Sequence, residues 1–157
     1  MKKGRIKTLI ICLALPLLLG GIAGILNMES MKDFGMLDQP PLSPPAWLFP
    51  ISWTVLYLLM GYSSFLVIKS SQNTEDLTLA LKIYGIGLVF NFAWSFIFFG
   101  LDAYGFALVW IVALVLITLY NIFAFARISK TAAWLLVPYF LWLAFATYLN
   151  LGIYLLN

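Results

Sequence analysis

Five apolar runs divide this chain, and each is long enough to cross a lipid bilayer as a helix, which takes roughly 20 mostly apolar residues. The runs cover residues 6–26, 47–68, 79–99, 103–126 and 132–155. They are continuous rather than alternating, and they far exceed the roughly 10 residues of a strand in a transmembrane barrel. The sequence therefore predicts an all-α integral membrane protein, a single domain over residues 1–157 folded as a bundle of five transmembrane helices.

The composition removes most other classes of protein. Hydrophobic residues make up 64% of the chain and charged residues 10%, which leaves too little polar surface for a soluble domain. The sequence has no histidine and a single cysteine, Cys12, so imidazole acid–base chemistry, histidine ligation of metals and intrachain disulfides are excluded. We expect no metal site and no resident cofactor.

The basic residues lie almost entirely on one side of the predicted bundle. Eight of the nine Lys and Arg residues flank the runs on the side of the N-terminus, namely Lys2, Lys3, Arg5, Lys7, Lys69, Lys82, Arg127 and Lys130. The other side has only Lys32. Because cytoplasmic flanks collect Lys and Arg, we expect the N-terminus inside the cell and the C-terminus outside. This placement also explains the net charge of +3 without a nucleic-acid partner, and we expect no nucleic-acid binding.

The first run has a second interpretation as a cleaved secretory signal, because a basic N-terminus precedes an apolar stretch that ends in small residues. Against cleavage, the run over 6–26 is longer than the usual signal core of about 7 to 15 residues. Its removal would also leave four spans without a basic N-terminal anchor. We therefore predict that this run stays in the protein as a transmembrane helix.

The longest connection, residues 27–46, contains four prolines within residues 38–45. Each proline fixes φ and disfavours helical geometry in the residue before it, so this segment is expected to be stiff and non-helical. It is long enough to cross the outer end of the bundle. Two interpretations stay open, a lid over a binding site and a simple spacer before the second helix.

Polar, small and aromatic residues repeat every three or four positions on four of the runs, so each set is expected to share one helix face. The sets are Trp53, Tyr57 and Gly61; Gly87, Asn91 and Ser95; Trp110, Ala113, Ile117 and Asn121; and Pro138, Trp142, Ala146 and Asn150. Inward-facing polar residues in a membrane span commonly mark function. The alternative is ordinary helix packing, in which an intramembrane Asn only bonds a neighbouring helix.

Depth along each helix, at about 1.5 Å per residue, brings several of these residues into the outer half of the bundle. The set expected to meet there is Trp53, Tyr57, Asn91, Trp94, Trp142 and Ala146. A cavity walled by these residues and roofed by the proline-rich loop would suit a flat, largely apolar ligand with a few polar edges. The small side chains of Ala146 and Gly61 are expected to leave space for this ligand.

Three segments of the chain resemble the signature motifs of the translocator protein family, also called the tryptophan-rich sensory proteins, TspO, or peripheral benzodiazepine receptors. They are PPAWLFPISWTVLY at 44–57, NFAWSFIFFG at 91–100 and PYFLWLAFATYLN at 138–150. The resemblance spans all five runs and keeps the order and spacing of the motifs. We identify the chain as resembling a bacterial member, which implies a location in the bacterial plasma membrane.

The resemblance implies a membrane-embedded binding protein for porphyrins such as protoporphyrin IX or a related tetrapyrrole, and for synthetic benzodiazepine-site ligands. Its role would be sensory or regulatory, in tetrapyrrole or stress metabolism. Its partners would be these ligands, the lipid bilayer and a second copy in a homodimer. Two alternatives are light- and oxygen-dependent degradation of protoporphyrin IX, which would make the protein an enzyme, and porphyrin transport across the membrane. Ion-coupled transport usually needs a charged residue deep within a span. The only charged residue to consider here is Lys82, and it lies near the end of its run.

The same resemblance assigns site residues by motif position. Trp53 and Trp142 match the tryptophans associated with porphyrin breakdown and are the candidate catalytic residues. The candidate ligand-binding residues are Phe34, Trp53, Tyr57, Phe90, Asn91, Trp94, Trp142 and Ala146.

Three positions depart from the family pattern. Many members have a Trp-Tyr or Trp-Phe pair in the first long connection, where this chain has Asp33 and Phe34, so a lid tryptophan is missing. Animal members are associated with sterol recognition through a basic residue that follows a C-terminal tyrosine, but no basic residue follows Tyr148 or Tyr154, and we predict no sterol binding. Phe106 stands where animal members have tryptophan.

Overall fold

A computed structural model describes residues 2–157, and within them five helices are long and apolar enough to cross a membrane. The elements are α1 (Lys2–Leu26), α2 (Ser30–Phe34), α3 (Leu48–Ser70), α4 (Thr74–Ser95) with a π-helical turn (Phe96–Gly100), α5 (Tyr104–Ile128) and α6 (Lys130–Leu156). The predicted all-α fold with five spans is confirmed. The short helix α2 and the π-helical turn were not predicted.

Helix α4 begins five residues before the predicted start at 79, because its first turn is polar and capped. The Asn73 side chain accepts a hydrogen bond from the backbone N–H of Glu75 at 2.9 Å, and Glu75 and Asp76 both favour a helix N-terminus by their charge. Helix α6 likewise begins at Lys130 rather than 132, after a cap by Ser129. The apolar runs therefore mark the membrane-spanning parts of longer helices.

The helices form a ring in the order α1, α3, α6, α5, α4, with α4 closing against α1. Glycines allow the close approach of α1 to α3. A β-carbon on Gly61 would collide with the backbone carbonyl of Cys12, and one on Gly20 would collide with the Tyr57 ring. Gly61 therefore serves helix packing, and the prediction that it leaves room in a ligand cavity is wrong.

Residues 38–45, which we call the proline strap, contain no helix, as predicted. The strap lies against the end of α6. The Asn157 side chain accepts a hydrogen bond from the backbone N–H of Asp38 at 3.0 Å, and its Nδ2 donates to the Asp38 carbonyl at 3.1 Å. Further along, the Tyr148 hydroxyl donates to the Pro41 carbonyl at 2.7 Å. The strap is therefore fixed to one helix at two points.

Two apolar contacts complete the closure of this end of the bundle. Pro40 is buried against Gly152 of α6, where a β-carbon would collide with the proline ring. Phe34, at the end of α2, packs its ring against Phe98 and Phe99 of the π-helical turn at centroid distances of 5.6 and 5.5 Å. The loop 27–46 thus crosses from α4 to α6 over the bundle end.

Candidate functional site

An aromatic cluster occupies the junction of α3 and α6, with Trp53 at its centre. The Trp53 ring stacks on Tyr57 at a centroid distance of 5.5 Å and an interplanar angle of 27°. It meets Trp142 nearly perpendicularly, at 6.3 Å and 85°, and Tyr139 at 6.4 Å and 64°. Such offset-stacked and edge-to-face arrangements are the favoured geometries of aromatic pairs. One side chain of α3 is therefore held by three rings.

Below these rings, Asn91 of α4 joins two tyrosines from different helices. The Tyr57 hydroxyl donates to Asn91 Oδ1 at 3.0 Å, and Asn91 Nδ2 donates to the Tyr139 hydroxyl at 2.9 Å. Asn91 and Tyr139 are buried, with 7% and 3% of their surfaces exposed. The trio connects α3, α4 and α6 inside the membrane-spanning part of the bundle.

A second polar bridge lies nearer the strap. The Trp94 indole N–H donates to Asn150 Oδ1 at 3.2 Å, and Asn150 Nδ2 donates to the carbonyl of Tyr104 at 2.9 Å. Trp94 and Ala146 belong to one buried apolar cluster, and Trp53 packs against this cluster as well as against the one that contains Tyr139. Trp53 thus contacts both buried clusters.

Phe90, the neighbour of Asn91 on α4, contacts α5. Its ring stacks on Trp110 at 4.4 Å, and its carbonyl accepts the Trp110 indole N–H at 2.9 Å. Phe34 contacts the π-helical turn and also packs against the buried cluster of Trp94 and Ala146. These two candidates therefore lie beside the aromatic cluster. The other six belong to the cluster, to the Asn91 bridge or to the buried group around Trp94.

An open groove of about 430 Å³ lies between α3 and α6, beside the cluster. It is lined by Val55 and Leu59 of α3 and by Pro138, Leu141 and Trp142 of α6. Val55 and Leu141 are exposed on the outside of the bundle, so the groove opens toward the lipid. Trp142 lines the groove and is also in ring contact with Trp53.

The indole nitrogen of Trp142 is buried and has no hydrogen-bond partner within residues 2–157. Its aromatic neighbours besides Trp53 are Phe49 at 6.1 Å and Phe145 at 5.7 Å, and neither offers an acceptor. A buried donor without an acceptor is costly, above all in a membrane. An acceptor oxygen supplied by a ligand would remove this cost.

The predicted common face of α6 is wrong. Pro138 is exposed and lines the groove, whereas Asn150 is buried and bonds Trp94. A spacing of four residues exceeds the helical repeat of 3.6, so three successive steps rotate the side chain by about 120°. The structure does bring Trp53, Tyr57, Asn91 and Trp142 together, in contact directly or through one neighbour.

The sequence interpretation missed Tyr139. Its burial face follows from the helical repeat, because Tyr139, Leu143, Ala146 and Asn150 lie at spacings of four, three and four residues, which keep close to 3.6. All four are buried. The chemistry available at the site is ring stacking and hydrogen bonding, and no group of three His, Cys, Asp or Glu side chains that could hold a metal ion occurs within residues 2–157.

Comparisons with known proteins agree with this architecture. The model of the TspO/MBR family matches residues 12–156. A tryptophan-rich protein TspO from Chlorobaculum tepidum is 36% identical over 154 residues, covering 98% of each chain. The translocator protein of Homo sapiens is 38% identical over 123 residues (78% of this chain and 73% of that protein), and the tryptophan-rich sensory protein of Cereibacter sphaeroides is 34% identical over 121 residues (77% and 74%). The chain therefore belongs to the TspO/MBR family.

Proposed function

We propose that this protein binds protoporphyrin IX or a related tetrapyrrole, and benzodiazepine-type ligands, at the aromatic cluster between α3 and α6, and that its role is sensory or regulatory. The observation that carries the proposal is that Trp142 contacts the Trp53 ring and also lines a groove of about 430 Å³ that opens toward the lipid. A flat apolar ligand dissolved in the membrane would reach this ring without crossing water.

The chemistry of the cluster supports a flat ligand with few polar atoms. Tryptophan and tyrosine rings offer large apolar faces for stacking. The indole N–H of Trp142 is buried and unpartnered, and it would gain a hydrogen bond to a carbonyl or carboxylate oxygen of a ligand that displaces the side chains around it. Apolar walls with a few placed donors are typical of small-molecule sites.

A titration of the detergent-solubilised protein with protoporphyrin IX in the dark tests this proposal. We expect saturable quenching of tryptophan fluorescence and a loss of affinity of at least about tenfold in Trp142→Ala, since an aromatic anchor and its pair interactions are worth about 1.5 kcal/mol or more. Trp134→Ala is the matched control, because Trp134 is 72% exposed at the other end of α6. Equal affinities in the two variants, or no saturable quenching, would contradict the proposal.

Light-dependent degradation of the porphyrin is the second candidate, favoured by the direct contact of two oxidisable rings, Trp53 and Trp142, at 6.3 Å. Dioxygen would be the oxidant and the excited porphyrin the reductant. Illumination of the complex should then convert the Soret band to a discrete product, more slowly in Trp53→Phe and Trp142→Phe. Decay at the rate of free porphyrin would leave binding alone.

We propose further that the protein lies in the plasma membrane with its N-terminus inside. The support is the distribution of basic residues, of which Lys69 and Arg127 lie in the last turns of α3 and α5. These turns face the same side of the membrane as the start of α1, because successive spans alternate in direction. The positive-inside tendency of membrane proteins then orients that side toward the cytoplasm.

A further inference from the structure

Both polar atoms of the Asn91 side chain make hydrogen bonds within the protein. Its Oδ1 accepts from Tyr57 at 3.0 Å and its Nδ2 donates to Tyr139 at 2.9 Å, and only 7% of the residue is exposed. The amide keeps one N–H and one oxygen lone pair unused, but because so little of the residue is exposed, a ligand could reach them only by displacing the side chains that pack around it. Direct ligand recognition is therefore a poor use of this residue.

The two tyrosines that Asn91 joins are the rings that hold Trp53. Tyr57 stacks on one face of the indole at 5.5 Å, and Tyr139 meets it at 64° and 6.4 Å. Because Tyr57 belongs to α3 and Tyr139 to α6, the bonds through Asn91 also fix the rotation of these two helices relative to each other. That rotation determines how Trp53 of α3 meets Trp142 of α6.

Another buried tyrosine in the same core gives a built-in comparison. Tyr84 lies two turns before Asn91 on α4, is 6% exposed and packs its ring against Phe125 at 5.9 Å. Its buried hydroxyl has no hydrogen-bond partner within the described chain. Loss of the hydroxyl at 84 therefore removes no hydrogen bond of standard geometry, whereas loss of the hydroxyl at 139 removes the bond from Asn91 that joins α4 to α6.

We propose that Tyr139 and Asn91 are positioning residues, which hold the Trp53 indole in the orientation that the ligand requires without touching the ligand themselves. This inference rests on the proposed function of the aromatic cluster as a ligand site. It assigns Asn91 a different role from the pocket-lining role that the family resemblance implies. It also adds Tyr139 to the residues that determine affinity.

The test is ¹⁹F NMR of the protein labelled with 5-fluorotryptophan in detergent micelles, first without ligand. Trp53→Phe assigns the Trp53 resonance, and the exposed Trp134 serves as an internal reference. We expect the Trp53 resonance to shift or split in Tyr139→Phe and in Asn91→Leu, and to stay in place in the control Tyr84→Phe. An unchanged Trp53 resonance in either Tyr139→Phe or Asn91→Leu would overturn the inference.

Affinity for protoporphyrin IX is then measured by dark titration of the same variants. Tyr139→Phe should weaken binding about threefold to tenfold, the loss expected for one hydrogen bond, whereas Tyr84→Phe should bind like the parent. A moved Trp53 resonance with unchanged affinity would overturn the link to the ligand. If the parent protein itself binds no porphyrin, the proposed function fails, while the spectra without ligand still decide whether Tyr139 positions Trp53.

Discussion

Single glycines set the distance between α1 and α3. At Gly61 a β-carbon would meet the backbone carbonyl of Cys12, which cannot move without shifting the whole of α1. Gly61→Ala should therefore destabilise the protein by about 1–3 kcal/mol, the usual cost of overpacking. Thermal unfolding in detergent measures this effect.

Gly85→Ala is the matched control for this substitution, because a β-carbon at Gly85 of α4 has no neighbour within 4 Å. It should be neutral or stabilising by up to about 1 kcal/mol, since alanine favours the helix over glycine. Equal melting temperatures in the two variants would show that the contact between α1 and α3 can relax.

At the residue scale, the sequence indicates which side chains are unusual but not what each one does. Trp53, Tyr57, Asn91 and Trp142 stand out because polar and large aromatic side chains are conspicuous in apolar runs. Whether Asn91 faces a ligand or two tyrosines depends on the rotation of three helices, and that rotation follows from packing between helices rather than from the spacing within one. Tyr139 lies beside more conspicuous residues and was missed for this reason.

The proline strap is held to α6 by a small number of contacts that one substitution can remove. Gly152→Val would displace Pro40, and with it the bonds between Asp38 and Asn157. We expect the backbone amide of Asp38 to exchange its hydrogen about five to ten times faster, as for the loss of one net hydrogen bond. Hydrogen exchange followed by mass spectrometry measures this change.

The control for the strap is Gly21→Val on α1, where a β-carbon has no neighbour within 4 Å. Exchange at Asp38 should be unchanged in this variant. If Gly152→Val also leaves the exchange unchanged, the strap is held by contacts other than those at the end of α6. Neither substitution lies in the aromatic cluster, so an effect of Gly152→Val on the proposed porphyrin binding would show that the docked strap acts as a lid.

The sequence predicts the location of an element where hydrophobicity determines it, but not where local hydrogen bonds do. The apolar runs located the five spans of residues 2–157, because each span must satisfy its own backbone in lipid. The run over 79–99 could not reveal the capped start of α4 or the π-helical turn from Phe96 to Gly100. Both depend on local hydrogen bonds, which hydropathy does not measure.

The orientation of the whole molecule in the membrane can be tested by cysteine labelling in intact cells. In a Cys12→Ser background, Met36→Cys lies in the loop 27–46, where Met36 is 85% exposed, and Gln72→Cys lies between α3 and α4, at the other end of the bundle. A membrane-impermeant maleimide should label position 36 in intact cells and position 72 only after permeabilisation. The reverse pattern would place the N-terminus outside.

The ring order α1, α3, α6, α5, α4 has a consequence for biosynthesis. Helix α6 is the last of these spans to leave the ribosome, yet it inserts between α3 and α5, which are made earlier. Trp53 of α3 therefore has no contact with Tyr139 and Trp142 until α6 has been made and inserted. A nascent chain that has inserted its first four spans thus lacks the rings of α6, so the ligand binding proposed for this site requires that synthesis has passed Trp142.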